Sequence, residues 1–225
     1  MAKSSFVPLF NVINNTDSSF MNLLTKIMII GISLTLFGCK MTDRPNLPTT
    51  IENKQALKEG YGLIIGSLSR ANAAAIYDIW SIRLRATDPQ INEDINILGK
   101  ASTTAPFVAY DFDYREKMYS GNLFAYIVPA GEYEFYDYRL YQTRGAFYRN
   151  WNPKNEFSMP ISVKSGAINY IGEYSATKNY NWEVSSNETR DIAFFKAKYP
   201  NLDWSTLIIA LPEKNNEKSI LLKTN

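Results

Sequence analysis

The sequence of 225 residues contains no histidine and a single cysteine, Cys39. The absence of histidine excludes Ser-His-Asp and Cys-His catalytic arrangements, and it excludes zinc or copper sites that need an imidazole ligand. With one cysteine, no disulfide can form within the chain. We find no catalytic constellation in the sequence, and we expect neither a cofactor nor a bound metal.

The charge balance is nearly even, with 24 Lys and Arg against 22 Asp and Glu. The two signs are interleaved without a basic stripe, so the sequence gives no support for nucleic-acid binding. Hydrophobic residues make up 45% of the chain and charged residues 20%, which is typical of a globular protein. The 15 tyrosines and 12 phenylalanines favour strands over helices.

One apolar run stands near the N-terminus, at residues 27–37, with the sequence IMIIGISLTLF. A membrane-spanning helix needs about 20 apolar residues, whereas the core of a signal peptide needs about 7–15. Lys26 precedes the run, and Gly38 and Cys39 follow it directly. This order of charge, apolar run, glycine and cysteine predicts an export signal.

The residues Leu36, Phe37, Gly38 and Cys39 resemble the lipobox of bacterial lipoproteins. The resemblance implies cleavage before Cys39, acylation of its sulfur and its new amine, and attachment to a membrane through these lipids. Phe37 departs from the small residue usual at that position. The alternative is a buried core helix that ends in an ordinary cysteine.

These signals divide the N-terminal part of the chain into segments. We predict that translation begins at Met21 and that residues 1–20 are a non-native extension; the alternative is a long but genuine start of the signal. Residues 21–38 are then the signal peptide, and residues 39–59 form a lipid-anchored tether. Lys40 stands where an aspartate would resemble an inner-membrane retention signal, so we expect an outer-membrane location facing the periplasm.

The segment from Gly60 to Pro212 is predicted to be an antiparallel β-sandwich with one short C-terminal helix. Residues 62–68 form a continuous apolar run that is typical of a central strand. In residues 78–86 the side chains of Trp80, Ile82 and Leu84 alternate onto one face. Further predicted strands cover residues 108–114, 122–128, 133–140, 157–163, 167–174, 180–184 and 204–211.

Two strands carry finer signals. Pro160 lacks a backbone donor, so its strand is predicted to lie at a sheet edge. The apolar positions change parity after Phe135, from Tyr133 and Phe135 to Tyr136 and Tyr138, which a β-bulge would explain. A strand that is buried on both faces is the alternative.

The C-terminal region is predicted to contain one helix. Ser185 and Glu188 have the spacing of a capping box, and Ile192, Phe195 and Tyr199 follow at helical spacing. Pro200 would end the helix. Residues 213–225 are predicted to be a loose polar tail.

The segments PAGEYEFYDY (residues 129–138) and SGAINYIGEY (residues 165–174) resemble uncharacterised bacterial lipoprotein domains. Those domains are in turn similar to prealbumin-like or carboxypeptidase-regulatory-like sandwiches. The resemblance implies a sandwich fold. It implies no catalytic activity, because the short Pro-x-Gly-x-Tyr pattern is a turn followed by a strand.

A candidate binding surface lies in and beside the segment GAFYRNWNPKN, residues 145–155. It consists of Arg144, Tyr148, Arg149 and Trp151, and exposed aromatic residues beside arginine are typical of recognition surfaces. Aromatic rings also stack on sugars. The alternative is a loop that folds its aromatic residues onto the end of the sandwich.

Two other groups of residues are candidates for a catalytic or metal site. Asp111, Asp113 and Glu116 could bind calcium or act in glycoside hydrolysis, but an exposed strand face accounts for them better. Ser67 and Ser69 have no basic partner in the sequence pattern. The leading hypothesis is therefore a lipid-anchored, non-catalytic binding or structural module with an envelope protein or glycan as partner. The alternative is a glycan-binding or carboxylate-dependent hydrolytic domain.

Overall fold

The computed structural model describes Leu57 and residues 59–72, 77–100 and 112–223. This part of the chain is mostly β, with two sheets and one α-helix, α1 (Glu188–Lys198). The strands are β1 (Tyr61–Ala71), β2 (Ile79–Ala86), β3 (Asp94–Lys100), β4 (Tyr114–Arg115), β5 (Tyr119–Pro129), β6 (Gly131–Arg144), β7 (Phe147–Trp151), β8 (Met159–Val163), β9 (Ile168–Ala176), β10 (Trp182–Ser185), β11 (Leu207–Ile209) and β12 (Ile220–Leu222).

The larger sheet has seven strands in the order β12-β10-β9-β1-β5-β4, with β11 also paired to β9. β1 lies between β5 and β9, which confirms the prediction of a central strand. Its residues from Gly62 to Ser69 are all buried, and so is the whole of β9. A strand covered on both faces needs apolar side chains on both, which explains the continuous run in β1.

The smaller sheet has five strands in the order β3-β2-β6-β7, with β8 also paired to β6. In the described part of the chain β8 has no second partner strand, so Pro160 lies at a sheet edge as predicted. Along β2, Trp80, Ile82 and Leu84 are fully buried, as their alternation predicts.

The β-bulge predicted near Phe135 is present. Arg83 pairs with Asp137 and the next residue, Leu84, pairs with Phe135, so Tyr136 is the extra residue. Tyr136 is buried but belongs to neither core cluster, and the Cζ atom of Arg85 lies 4.2 Å from the centroid of its ring. The alternative of a strand buried on both faces is wrong for β6.

The prediction that all strands pair antiparallel holds for the five-stranded sheet and is wrong for the other. β9 runs parallel to β1, and β12 runs parallel to β10. The chain leaves the larger sheet after β5, forms β6 to β8 in the smaller one, and returns at β9. That excursion brings β9 beside β1 in the same direction, which a hairpin connection cannot do.

Two clusters of buried side chains hold the domain together. The larger cluster contains residues of both sheets, including Ile64, Trp80, Phe135 and Trp182. The smaller cluster joins the other face of the seven-stranded sheet to α1 through Phe195. The helix is therefore fixed by apolar burial, which is the main favourable term for a short helix.

Four predictions for the ends of elements are wrong. Asn187, not Ser185, is the N-cap of α1, and its side chain makes no capping bond. Residues 204–211 contain a 3-10 turn before the short strand β11. Residues 220–222 of the predicted loose tail form β12, because Ile220 buries its side chain in the larger cluster. Of the predicted strand 108–114, the structure describes residues 112–114. Phe112 and Asp113 are not in a strand, whereas Tyr114 is.

Several predictions concern residues outside the described part of the chain. They are the signal and lipidation residues Leu36, Phe37, Gly38 and Cys39, the segment before residue 57, and Asp111. Among the described residues, no helix is long and apolar enough to cross a membrane.

Candidate functional site

A buried cluster of charged side chains lies beneath the first turn of α1. Glu173 on β9 and Asp191 on α1 are 2% and 0% exposed. Arg190 bridges them, with its Nη2 atom 2.7 Å from Asp191 Oδ1 and 3.2 Å from Glu173 Oε2. Buried carboxylates need such partners, because an unpaired buried charge is strongly unfavourable.

Neutral side chains satisfy the remaining carboxylate oxygens. Ser67 and Tyr170 donate to Asp191 Oδ2 at 2.7 and 3.0 Å. Tyr114 donates to Glu173 Oε1 at 2.7 Å, and the Asn187 amide donates to Glu173 Oε2. The four donors thus occupy both carboxylates, and Asn187 is held by Glu173 instead of capping its helix.

The electrostatics of this cluster are those of a closed network. Burial raises the pKa of Asp191, against the opposing effect of Arg190 and Ser67. Burial and the negative charge of Glu173 raise the pKa of Tyr114, and burial and Asp191 raise that of Tyr170. The carboxylates are enclosed and bonded, so the network fixes α1 on the sheet and offers no open position to a substrate.

The two serines Ser67 and Ser69 belong to this buried region. Ser67 donates to Asp191 and accepts from Arg190 Nη2 at 3.1 Å. Ser69 shares a hydrogen bond of 2.7 Å with Ser175 on β9. Both are fully buried, so neither presents a hydroxyl to solvent.

The acidic group considered for calcium or hydrolysis is arranged differently from the prediction. Asp113 does not lie on an exposed strand face, because its carboxylate accepts from the backbone N–H of Leu123 at 2.9 Å. Glu116 forms an ion pair of 3.2 Å with Arg190. No group of three potential metal ligands forms among the described residues.

Two grooves lie beside β11, with volumes of about 410 and 390 Å³. Glu213 lines both of them, and Glu132 lines the larger one together with Lys164 and Lys214. The Glu132 carboxylate already accepts a hydrogen bond of 2.8 Å from Ser162. Acids and bases alternate here, so the grooves do not form the acidic cleft that a carboxylate-dependent hydrolase would need.

The start of the domain lies at one end of the long strand β6. The Ala130 N–H donates to the Gly60 carbonyl at 2.8 Å, immediately before β6 begins at Gly131. We call this end the base. β6 then runs for 14 residues, so its last residue lies about 40 Å from the base at about 3.3 Å per residue.

At the opposite end, which we call the distal pole, lie the β6–β7 hairpin (residues 142–151), the β9–β10 turn (residues 177–181) and Tyr77. The last sheet pair of β6 with β2 is Tyr141 with Ile79, and residues 142–144 pair with β7 alone among the described strands. The hairpin tip therefore extends beyond the end of β2.

The structure places the predicted binding residues here, on strands and not in a loop. Tyr148, Arg149 and Trp151 lie on β7, and Arg144 lies in β6 opposite Phe147. Phe147 and Tyr148 are 80% and 67% exposed, whereas Trp151 is half-buried. The alternative was that the aromatic residues fold onto the end of the domain. It holds for Trp151 and is wrong for Tyr148.

Two pairs of stacked rings lie at the distal pole. The rings of Trp151 and Tyr180 stack 4.4 Å apart at 20°. The rings of Tyr141 and Tyr148 stack 6.1 Å apart at 26°. The sequence did not point to Tyr180, because it lies in a turn that is distant from Trp151 in the chain, or to Tyr141, because only the register of the β6–β7 hairpin brings it beside Tyr148.

Tyr180 has a strained backbone, with a φ angle of 63° that residues other than glycine rarely adopt. Its N–H donates to the Tyr77 hydroxyl at 3.1 Å, and that hydroxyl donates to the Thr177 carbonyl at 2.6 Å. Tyr77 thus holds the turn that presents the Tyr180 ring, which is 39% exposed. Such strain is typical of positions that bind ligands, where surrounding contacts enforce it.

The hairpin also has an unusual charge. From Tyr138 to Asn155 the sequence contains no Asp or Glu, but it contains the basic residues Arg139, Arg144, Arg149 and Lys154. Lys178 in the adjacent turn is exposed as well. Asp137 directly precedes this stretch and Glu156 directly follows it.

Comparisons with known proteins give little further information. No family model matches the chain, and no curated protein matches it significantly. A solved leucine-rich repeat protein from Bacteroides thetaiotaomicron is similar over 52% of this chain at 11% identity, with a TM-score of 0.30. The match covers 14% of that protein, and a likeness of this size carries no argument about fold or function.

Proposed function

We propose that this protein is a lipid-anchored, non-catalytic binding module of the bacterial cell envelope. In this account Cys39 carries the lipids, and the distal pole contacts the partner. One observation carries the proposal: the chain begins the domain at the base, about 40 Å from the exposed aromatic and basic side chains of the β6–β7 hairpin.

The length of the tether fits this arrangement. Residues 40–56 separate Cys39 from Leu57, which packs on the smaller core cluster, and a flexible chain of that length would have an r.m.s. length of about 23 Å. In this proposal the tether lets the distal pole point away from the membrane. A surface at that pole can reach a partner that lies beyond the lipid headgroups.

The proposal includes the finer points of fold and location. We take the two sheets to be a prealbumin-like sandwich, which is supported by the core cluster that they share. We place the lipid in the outer membrane, facing the periplasm, because Lys40 stands where a retention signal would require an aspartate.

Among the described residues, no observation favours the hydrolytic alternative. The deeply buried carboxylates Glu173 and Asp191 are bound by Arg190 and by neutral donors. The carboxylates that line the larger groove lie among lysines. The other part of the alternative, a glycan-binding domain, is compatible with a non-catalytic module whose ligand is a glycan.

Metabolic labelling with an alkyne fatty acid tests the anchor. Wild type should incorporate the label, whereas Cys39→Ala should not and should keep its signal segment. Thr42→Ala, which changes a residue just beyond the lipobox and retains the thiol, is the matched control and should label like wild type. Equal labelling of the wild type and Cys39→Ala would overturn the proposal, because Cys39 is the only thiol in the chain.

A further inference from the structure

We infer that the C-terminal strap of this domain, residues 215–223, is exchangeable: the edge of β10 accepts the same segment from a second copy of the chain. The strap consists of a hydrogen-bonded turn at residues 215–219, the strand β12, and Lys223. This inference goes beyond the proposed function, and it requires neither the lipid on Cys39 nor a ligand at the distal pole. It draws on the contacts of the strap and on the position of β12 at the end of its sheet.

The strap binds the larger sheet along the edge of β10. β12 pairs with β10 in parallel, with Ile220 beside Trp182. The Trp182 N–H donates to the Ser219 carbonyl at 2.7 Å, and the Lys223 N–H donates to the Val184 carbonyl at 2.8 Å. The side chain of Ile220 is 3% exposed and belongs to the larger core cluster. The strap thus combines main-chain pairing at a sheet edge with a side chain in an apolar recess, which is how sheets take up an added strand.

The strap also binds the smaller sheet, through polar side chains. The hydroxyls of Ser219 and of Tyr138 on β6 share a hydrogen bond of 2.8 Å. The amide oxygen of Asn216 accepts from the Ser158 N–H, just before β8, at 2.8 Å. These partners fix the register and the direction of the strap. They therefore favour this particular segment over other apolar strands, and every copy of the chain carries this segment.

A second copy can supply these contacts as well as the chain itself does. Ser219 and Tyr138 are 81 residues apart in the chain, and Asn216 and Ser158 are 58 residues apart. Neither contact depends on a short connection between the two partners. An exchanged dimer therefore keeps the contacts of the monomer, and only the connection before the strap changes. For this reason the exchange of a terminal element is a low-cost route to a dimer.

The connection before the strap suits such an exchange. Residues 210–219 form no helix or strand, and Glu213 and Lys214, directly before the strap, are exposed. β12 lies at the end of the seven-stranded sheet and pairs with β10 alone among the described strands. Release of the strap therefore breaks no other strand pair, and a change of backbone direction at two exposed residues redirects it.

The turn of the strap moves together with β12, because its hydrogen bonds are internal to the strap. Asn215 Nδ2 donates to the carbonyls of Glu217 and Ile220 at 2.8 and 2.7 Å. The Ile220 N–H donates to the Glu217 carbonyl at 3.1 Å. These bonds occupy both backbone groups of Ile220, so they oppose the addition of a further strand at that residue. Reciprocal exchange of two straps consequently gives a closed dimer.

A labelled peptide of residues 213–223 tests whether the β10 edge accepts the strap from another molecule. The receptor is the full-length chain with Ile220→Asn, which weakens its own strap by placing a polar group at a buried position. The peptide should bind this variant at least about tenfold more tightly than wild type, whose own strap competes at a high effective concentration. A peptide with Ile220→Asn should not bind. A peptide with Leu221→Asn, a position that is 50% exposed, is the matched control and should bind like the unchanged peptide.

Disulfide formation between two variants tests the exchange with complete chains. Glu183 and Leu221 are partners across the β10–β12 pair, and neighbouring strands have a spacing that a disulfide can bridge. Glu183→Cys and Leu221→Cys are introduced into separate full-length chains that also carry Cys39→Ala, and the two proteins are mixed at high concentration and oxidised. A disulfide-linked heterodimer should form. Its yield should exceed that obtained when Met118→Cys, at an exposed position before β5, replaces Leu221→Cys.

A chain that carries both Glu183→Cys and Leu221→Cys and is oxidised while dilute has its strap locked in place, so it should stay monomeric when concentrated. Dimer formation by this locked chain would assign dimerisation to another surface and overturn the inference. A heterodimer yield no greater than that with Met118→Cys would overturn it as well.

The peptide experiment has its own contradicting results, namely no binding to a folded Ile220→Asn chain, or equal binding of the peptide that carries Ile220→Asn. Thermal melts show whether that chain folds. If it does not, the mixed cysteine variants decide, because Glu183 and Leu221 both lie outside the two core clusters.

Discussion

The indole ring of Trp80 lies directly over Gly99, its partner across the β2–β3 pair. A Cβ atom on Gly99 would overlap the Trp80 ring at three of its atoms. The absence of a side chain at residue 99 is therefore what allows the largest side chain of β2 to be fully buried. Trp80 belongs to the larger core cluster, which contains residues of both sheets.

Replacement of Trp80 tests this packing. Trp80→Ala should lower the free energy of unfolding by about 3–5 kcal/mol, because a large fully buried side chain is lost. Arg83→Ala, on the opposite face of β2, should cost about 1 kcal/mol or less, since its ion pair with Asp94 is exposed. Urea unfolding of both variants measures the difference, and a larger loss for Arg83→Ala would show that the facing of β2 is reversed.

Gly99→Ala tests the contact from the other side. We expect a loss of about 1–3 kcal/mol, because the added methyl group must displace the Trp80 ring. Asn96→Ala, an exposed position on the same strand, is the control and should stay within about 0.5 kcal/mol of wild type. In a Trp80→Leu background the cost of Gly99→Ala should fall, and additivity of the two changes would contradict a direct contact.

Arg190→Met tests the buried charge network. The variant leaves Asp191 and Glu173 without their cation, so unfolding at pH 7 should become easier by about 3–5 kcal/mol. Arg83→Met, which breaks an exposed ion pair, is the matched control and should have a small effect at every pH.

The pH dependence of that loss has a definite sign. Burial already raises the pKa of Asp191, and removal of Arg190 takes away the largest opposing influence. The folded variant then binds a proton at Asp191 more readily than the unfolded chain does, so its stability recovers as the pH falls from 7 towards 4. Urea unfolding at several pH values measures this, and a deficit that stays constant or grows in acid would contradict the account of the network.

Much of the sheet structure could be predicted from the sequence, because it depends on local patterns. The continuous apolar run of β1 indicates its two buried faces, Pro160 indicates an edge, and the parity change after Phe135 indicates the bulge at Tyr136. Each of these signals lies within a few residues. Because side chains alternate along a strand, each signal directly predicts which side chains face the core.

The sites could not be predicted in the same way, because their residues are far apart in the chain. Ser67 and Asp191 are 124 residues apart, and the stacked rings of Trp151 and Tyr180 lie on β7 and in the β9–β10 turn. The strand β12 was missed for a related reason. Its three residues are too few for a periodic signal, and pairing with β10 determines it.

Energy transfer to the membrane tests the central claim most directly. The lipidated protein is reconstituted into vesicles that carry an acceptor dye at their surface, and a donor is attached to a cysteine introduced at one of two positions. Lys164→Cys lies near the base and Phe147→Cys lies at the hairpin tip, both exposed, while the lipid blocks the thiol of Cys39. The account predicts strong transfer from position 164 and weak transfer from position 147, which lies about 40 Å farther from the base. Equal transfer, or stronger transfer from position 147, would contradict the claim that the domain is tethered at its base and presents its binding surface away from the membrane.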